Sequence, residues 1–262
     1  MALALVRKTW RDDRRAVIGW AVGIAVFTAV YSGFYASFQG AADLKQTALP
    51  PDVLEFLGVA DLVSPAGYLQ ASVFSLLGPL LVLMCAVTLT ARTIAAPEEG
   101  GALELLLANP VSRAGFALRR LGAAAAAITL IAALPWLVLL ITVPVVGMDL
   151  PLSHVSAAGA GLIALAWCFT GVAFLVGAAT GRRGTVLAVT GAIAVATYMA
   201  HALSGIIDGA AWLRWLSPFH YFIGTDPLHT GWHPGALSVL VGAAVLTAAA
   251  GIPLFDRRDL GV

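Results

Sequence analysis

Leu121 to Val146 reads LGAAAAAITLIAALPWLVLLITVPVV, a stretch without a single ionisable side chain. A helix rises about 1.5 Å per residue, so this run is longer than the roughly 30 Å hydrocarbon core of a bilayer requires. Its apolar residues are continuous instead of alternating, which excludes a membrane barrel strand. Five further runs have the same character: Ala16 to Tyr35, Ala71 to Ala91, Val155 to Ala179, Thr185 to Leu203 and Ala236 to Leu254. No Asp, Glu, Lys or Arg falls inside any of the six.

The whole chain agrees with that reading. Its 262 residues are 60% hydrophobic and only 11% charged, with a mean hydropathy of +0.91, too apolar for an ordinary water-soluble domain. The fold class expected is therefore an all-α membrane protein of six transmembrane helices in one domain spanning residues 1–262. The first run follows Arg7, Lys8, Arg11, Arg14 and Arg15 and resembles a signal peptide, but it is long enough to span and no small-residue cleavage site follows; it is read as an uncleaved helix.

A net charge of +1 conceals a strong asymmetry. With both termini in the cytoplasm, all of the 15 Lys and Arg except Lys45 and Arg214 lie on the inner side. The opposite orientation inverts that distribution, so cytoplasmic termini are expected. Residues 36–70, 147–154 and 204–235 then face outward. The last of these holds Trp212, Trp215, Phe219, Tyr221, Phe222 and Trp232, an aromatic density suited to a headgroup-level belt or to short re-entrant helices shielded by the bundle. Within it Pro218, His220 and Asp226 are expected to shape the turn and satisfy its backbone. His229 and His233 are four apart, but Gly231 and Pro234 argue for a loop and no Cys or Glu completes a metal set.

Glu98 to Arg113, EEGGALELLLANPVSR, lies on the inner side between the second and third runs. Pro97 suits a first helical position, Glu98 and Glu99 complement the N-terminal dipole, and Asn109-Pro110 stops the helix, giving a short helix over 97–109. Leu103, Leu106 and Leu107 share one face while Glu104 points elsewhere. Gly100 and Gly101 weaken it as a free helix, so it needs a surface to dock on. The inner leaflet is one such surface. A protein groove rimmed by cations suits the two leading acids better than anionic lipid does.

This segment resembles the cytoplasmic segment of ABC-2 type transporter permeases, with its Glu-rich start, Ala-Leu-Glu-Leu-Leu-Leu and Pro-Val-Ser-Arg close. Leu216 to Leu228, LSPFHYFIGTDPL, and Phe255 to Leu260, FDRRDL, are similar to the same family. The resemblance implies a permease half driven by separate ATPase subunits, which bind the ATP and magnesium. In it Glu98, Glu99, Gly101, Leu103, Glu104, Leu106, Leu107, Pro110 and Arg113 form the segment coupled to the ATPase. Ala102 stands where the family often has Thr, which removes one hydroxyl contact. The resemblance also implies an amphipathic elbow over 1–15, which simple anchoring explains equally well, and a second permease copy or paralogous half. It further implies a path lined by the second and fifth spans, with Phe74, Met84, Thr88, Thr197, Tyr198 and Met199 as candidates, suited to export of a hydrophobic or amphiphilic cargo.

The chain has no G-x-x-x-x-G-K-S/T loop, and its only lysines are Lys8 and Lys45, neither preceded by the required glycines. Cys85 and Cys168 fall in apolar runs and read as small hydrophobes. His201, near the end of the fifth run, reads as an edge residue instead of a proton carrier. Gly177 and Gly181 form a small-residue packing pair. Nothing points to a nucleic-acid partner. The high Ala, Gly and Arg content is associated with a GC-rich bacterial genome, hence a bacterial cytoplasmic membrane. The alternative class is a membrane scaffold, assembly protein or intramembrane enzyme; no H-E-x-x-H or paired carboxylates at depth favours the last.

Overall fold

Pro79 and Pro135 interrupt two of the apolar runs, and the structure, a computed structural model, breaks both spans near them. It describes residues 2–35, 37, 64–94, 113–205, 207 and 209–257. Helix α1 covers Ala2–Gly33, continuous from the basic N-terminal stretch into the first apolar run. The second span is composite: α2 (Pro65–Leu69), a π-helical turn (Gln70–Phe74) and α3 (Leu77–Ile94). The third is α4 (Arg113–Ala132) followed by α5 (Leu134–Val146). Then come α6 (Leu152–Thr180) and α7 (Arg183–Leu203), a 3-10 turn (Ala211–Leu216), α8 (Pro218–Phe222), α9 (Pro227–Thr230) and α10 (Pro234–Arg257).

Six helical units among the described residues are long and apolar enough to cross a membrane. Most extend beyond the expected runs at one or both ends, because hydropathy marks only the stretch suited to lipid, whereas the first ends at Gly33, short of the expected Tyr35. The second unit starts at Pro65, ahead of the expected Ala71: Ser64 accepts the Gly67 N–H at 3.0 Å and Pro65 takes the first helical position. The fifth run ends on α7 near His201, whose ring lies 6.0 Å from that of His220. Gly147, at φ 75°, closes α5 with the Met148 N–H bonded to Val143 O at 3.0 Å.

Helix α6 is the axis of the bundle. It is apolar on nearly all sides and packs on α3, α4, α5, α7 and α10. A helix apolar all round is one buried within protein or lipid, and 67% of its apolar window is buried within the protein against 17% for α1 and α10. Its glycines permit this. A Cβ on Gly159 would sit 2.6 Å from the Trp136 side chain, and one on Gly171 would lie 2.7 Å from Ala244 O and overlap the Thr247 hydroxyl. Lipid tails are as apolar as leucine, so such close contacts, rather than water exclusion, favour helix association in a bilayer. Gly177 faces Ile94 and Val186 of the same chain. Cys85 and Cys168 are buried and unbridged.

Hydroxyls buried in the bundle mostly bond within their own helices. Thr28, Thr90 and Thr170 donate to the carbonyls of Ile24, Ala86 and Ala166 at 2.7–2.9 Å. Others cross between helices, among them Trp167 Nε1 to Thr129 Oγ1 at 2.8 Å and Trp136 Nε1 to Ser156 Oγ at 3.1 Å.

Candidate functional site

Helices α3 and α7 do not close on each other along their length. A half-open groove of about 610 Å³ runs between them, within the few hundred to about 1,000 Å³ usual for small-molecule sites. From α3 come Leu80, Leu83, Met84, Val87 and Thr88; from α7 come Leu187, Gly191, Ala194, Val195, Tyr198 and Met199. Phe219 of α8 also lines it, its ring edge-on to Tyr198 at 5.3 Å. No charged side chain lines the groove; Thr88 and Tyr198 supply its side-chain hydroxyls.

Of the expected path residues, Met84, Thr88, Tyr198 and Met199 come together here. Phe74 and Thr197 lie outside the lining. Phe74 is fully buried, its ring 6.3 Å from that of Phe222. Thr197 turns its hydroxyl back to Ile193 O at 2.7 Å. The remaining wall residues were missed, although helical spacing contains them: Leu80 and Val87 flank Met84 by four and three, and Gly191 and Ala194 precede Tyr198 by seven and four.

The end of the bundle holding residues 204–235 divides into an exposed and a shielded part. The 3-10 turn has no buried residue, with Trp212 and Trp215 more than half exposed. In α8, by contrast, Phe219 and Phe222 are buried. Ser217, fully buried, fixes this element: its hydroxyl accepts the Phe219 N–H at 3.2 Å and donates to Thr197 O at 2.7 Å. Pro218 takes the first helical position. Because Ser217 is both a cap and a tether to α7, Ser217→Ala is expected to cost about 1–3 kcal/mol. Thermal unfolding in nanodiscs measures it, and an unchanged midpoint would remove the tether from this description.

His220 packs edge-on against Trp215, ring centroids 4.9 Å apart. Burial, and then the Arg214 guanidinium, push its pKa below the ordinary histidine value. It therefore stays neutral at pH 7. Asp226 adopts φ 47°, a left-handed conformation unusual outside glycine. Its carboxylate holds His229 Nδ1 at 2.9 Å, and His229 Nε2 reaches Ser64 Oγ at 3.3 Å. His233 Nε2 lies 2.8 Å from Thr230 Oγ1, and His154 Nδ1 bonds Leu228 O at 2.9 Å. These imidazoles tie the short α9 turn to the starts of α2 and α6 and to the approach to α10.

Glu98, Glu99, Gly101, Leu103, Glu104, Leu106, Leu107 and Pro110 lie outside the described residues, and Arg113 opens α4.

Six helices long and apolar enough to cross a membrane, with an uncharged groove between α3 and α7, define a multi-pass membrane protein. The family described as multidrug efflux system permease Rv1217c, C-terminal domain, matches residues 3–255. The chain belongs to that family, and its role is that of a transport permease, a non-enzymatic subunit of an efflux system. A search of curated proteins returned no match.

Proposed function

We propose that this chain is one six-span half of an ATP-driven, ABC-2 type exporter in a bacterial cytoplasmic membrane. It pairs with a second copy or a paralogous half, and separate ATPase subunits bind ATP and magnesium and act on residues 98–113. Both termini lie in the cytoplasm, which places residues 95–112 inside and the 204–235 end outside. The supporting observation is the α3–α7 groove: uncharged, open along its side and sized for a drug-like molecule.

The chemistry of the groove favours a hydrophobic or amphiphilic cargo. Burying roughly 300 Å² of apolar ligand surface from water is worth about 7 kcal/mol before the costs of association. The same ligand already dissolved in lipid gains almost none of that, because the bilayer is as apolar as the groove wall. Recognition of a membrane-dissolved cargo therefore falls to shape and to the Thr88 and Tyr198 hydroxyls. Such a site binds loosely, which suits release.

The ATPase side of the proposal rests on EEGGALELLLANPVSR. Leu106→Asp places a carboxylate where an apolar partner surface is expected, so co-purification with the ATPase and ATP-dependent efflux should both be lost. Membrane insertion should be unaffected, since residue 106 lies outside all six apolar runs of the sequence. A variant that still binds the ATPase at wild-type strength would rule out this segment as the contact.

A further inference from the structure

Helix α3 forms one wall of the groove, and its two ends are held very differently. At the 95–112 end, Arg120 of α4 crosses to it: Nη1 donates to Thr93 O at 2.6 Å. Thr93 lies one residue before Ile94, the last described residue of α3. The guanidinium also lies over the Phe116 ring, 4.8 Å from its centroid. Phe116 in turn packs with Ile94, Phe174 and Phe255. Arg120 thus joins the two stems from which residues 95–112 emerge.

At its other end α3 meets a break. The Ser75 N–H bonds Gln70 O at 2.7 Å, five residues back, instead of following the α-helical ladder. Pro79 has no N–H to offer Ser75 O, and a Cβ on Gly78 would overlap Val73 O, so only glycine fits this turn as it is wound. The Gln70 Oε1 and Ser75 Oγ atoms are buried with no hydrogen-bond partner. Beyond the break, α2 is anchored by Tyr68 Oη to Tyr31 O at 2.6 Å and by the Ser64–His229 contact. Buried polar atoms without partners are costly, so this winding carries a local penalty.

We propose that Arg120 is a positioning residue of the transport cycle: it carries movement of α4 into α3, which pivots at residues 70–79 and changes the width of the groove. This rests on the reading that an ATPase acts on residues 98–113. Arg120 touches no cargo; it acts through Thr93 and the helix behind it. The break supplies the compliance, since a straight, fully bonded helix would have to carry α2 and its anchors along.

The test uses the chain co-purified with its ATPase in nanodiscs, with spin labels at Met84→Cys on α3 and Val195→Cys on α7. Inter-label distance is measured without nucleotide and with ADP and vanadate. The native-site complex is expected to show a shifted distance peak on trapping, and Arg120→Gln to lose that shift while keeping the ATPase bound and its thermal midpoint close to that of the parent. Arg120→Lys, which retains a cationic donor for Thr93 O, should keep the shift. An Arg120→Gln complex that shifts as its parent does overturns the proposal. If Arg120→Gln does not fold, Gly78→Ala decides: it forces the 73–78 turn to rewind, and an undiminished shift in that variant equally overturns the pivot. Failure of the unaltered chain to bind any ATPase is a separate outcome, which removes the driving reading and this inference with it.

Discussion

Gly191→Trp is expected to stop transport while leaving the protein folded. Gly191 lines the groove, and a Cβ at that position would meet nothing within 4 Å. The backbone can therefore accept a side chain there, and the indole has the groove to occupy. Filling a pocket of drug-like size with a large aromatic group removes the space any cargo would use, so efflux should fall by at least about tenfold. Gly242→Trp is the matched control: that position also has open space and does not line the groove. Accumulation of an apolar dye in inverted vesicles compares the two. Equal transport by both variants would mean that cargo does not travel between α3 and α7.

Gly171→Leu is expected to have the largest effect on stability. At this position α10 approaches so closely that a Cβ would overlap the Thr247 hydroxyl and lie 2.7 Å from Ala244 O. Thr247 could move, but Ala244 O is backbone and can yield only if α10 shifts. Overpacking in a tight core costs about 1–3 kcal/mol or more, and a leucine placed between two spanning helices belongs at the upper end. The variant should unfold at a markedly lower temperature or fail to yield a monodisperse peak. Thr247→Gly should not rescue it, because the carbonyl remains. The contrast with Gly191 is informative: glycine in an open helix position is replaced by alanine at a gain of about 1 kcal/mol, whereas at Gly171 the same exchange should destabilise. A Gly171→Ala protein as stable as its parent would contradict the close approach of α6 and α10.

Much of the architecture was readable in advance because membrane spans are a matter of length and charge. All six runs correspond to helices, and the absence of ionisable residues within them becomes an uncharged groove. The breaks were less visible. Ala71 to Ala91 reads as one continuous apolar run, yet Gly78-Pro79 forces a wide turn upstream of itself, and hydropathy carries no trace of hydrogen-bond register. Likewise Leu121 to Val146 reads as one helix, while the helix assignment is interrupted at Ala133, two residues ahead of Pro135.

Only part of the groove lining was named in advance, and that through the family resemblance. Met84, Thr88, Tyr198 and Met199 were implied by that resemblance on the second and fifth spans, and helical neighbours such as Leu80, Val87 and Ala194 share their wall. Contacts between distant residues had no local signal at all. Arg120 reads as one of several cytoplasmic cations, and only the packing of α4 on α3 brings it to Thr93. Ser64 and His229 are 165 residues apart, and nothing near either announces the other.

The most direct test of the central claim is ATP-dependent accumulation of an amphiphilic dye in inverted vesicles containing this chain and an ATPase subunit that co-purifies with it. Accumulation that requires ATP, is lost with Leu106→Asp and is lost again with Gly191→Trp is the expected result, joining the docking segment to the groove in one cycle. Dye accumulation that proceeds without ATP, or that survives both substitutions, would contradict an ATP-driven permease working through α3 and α7.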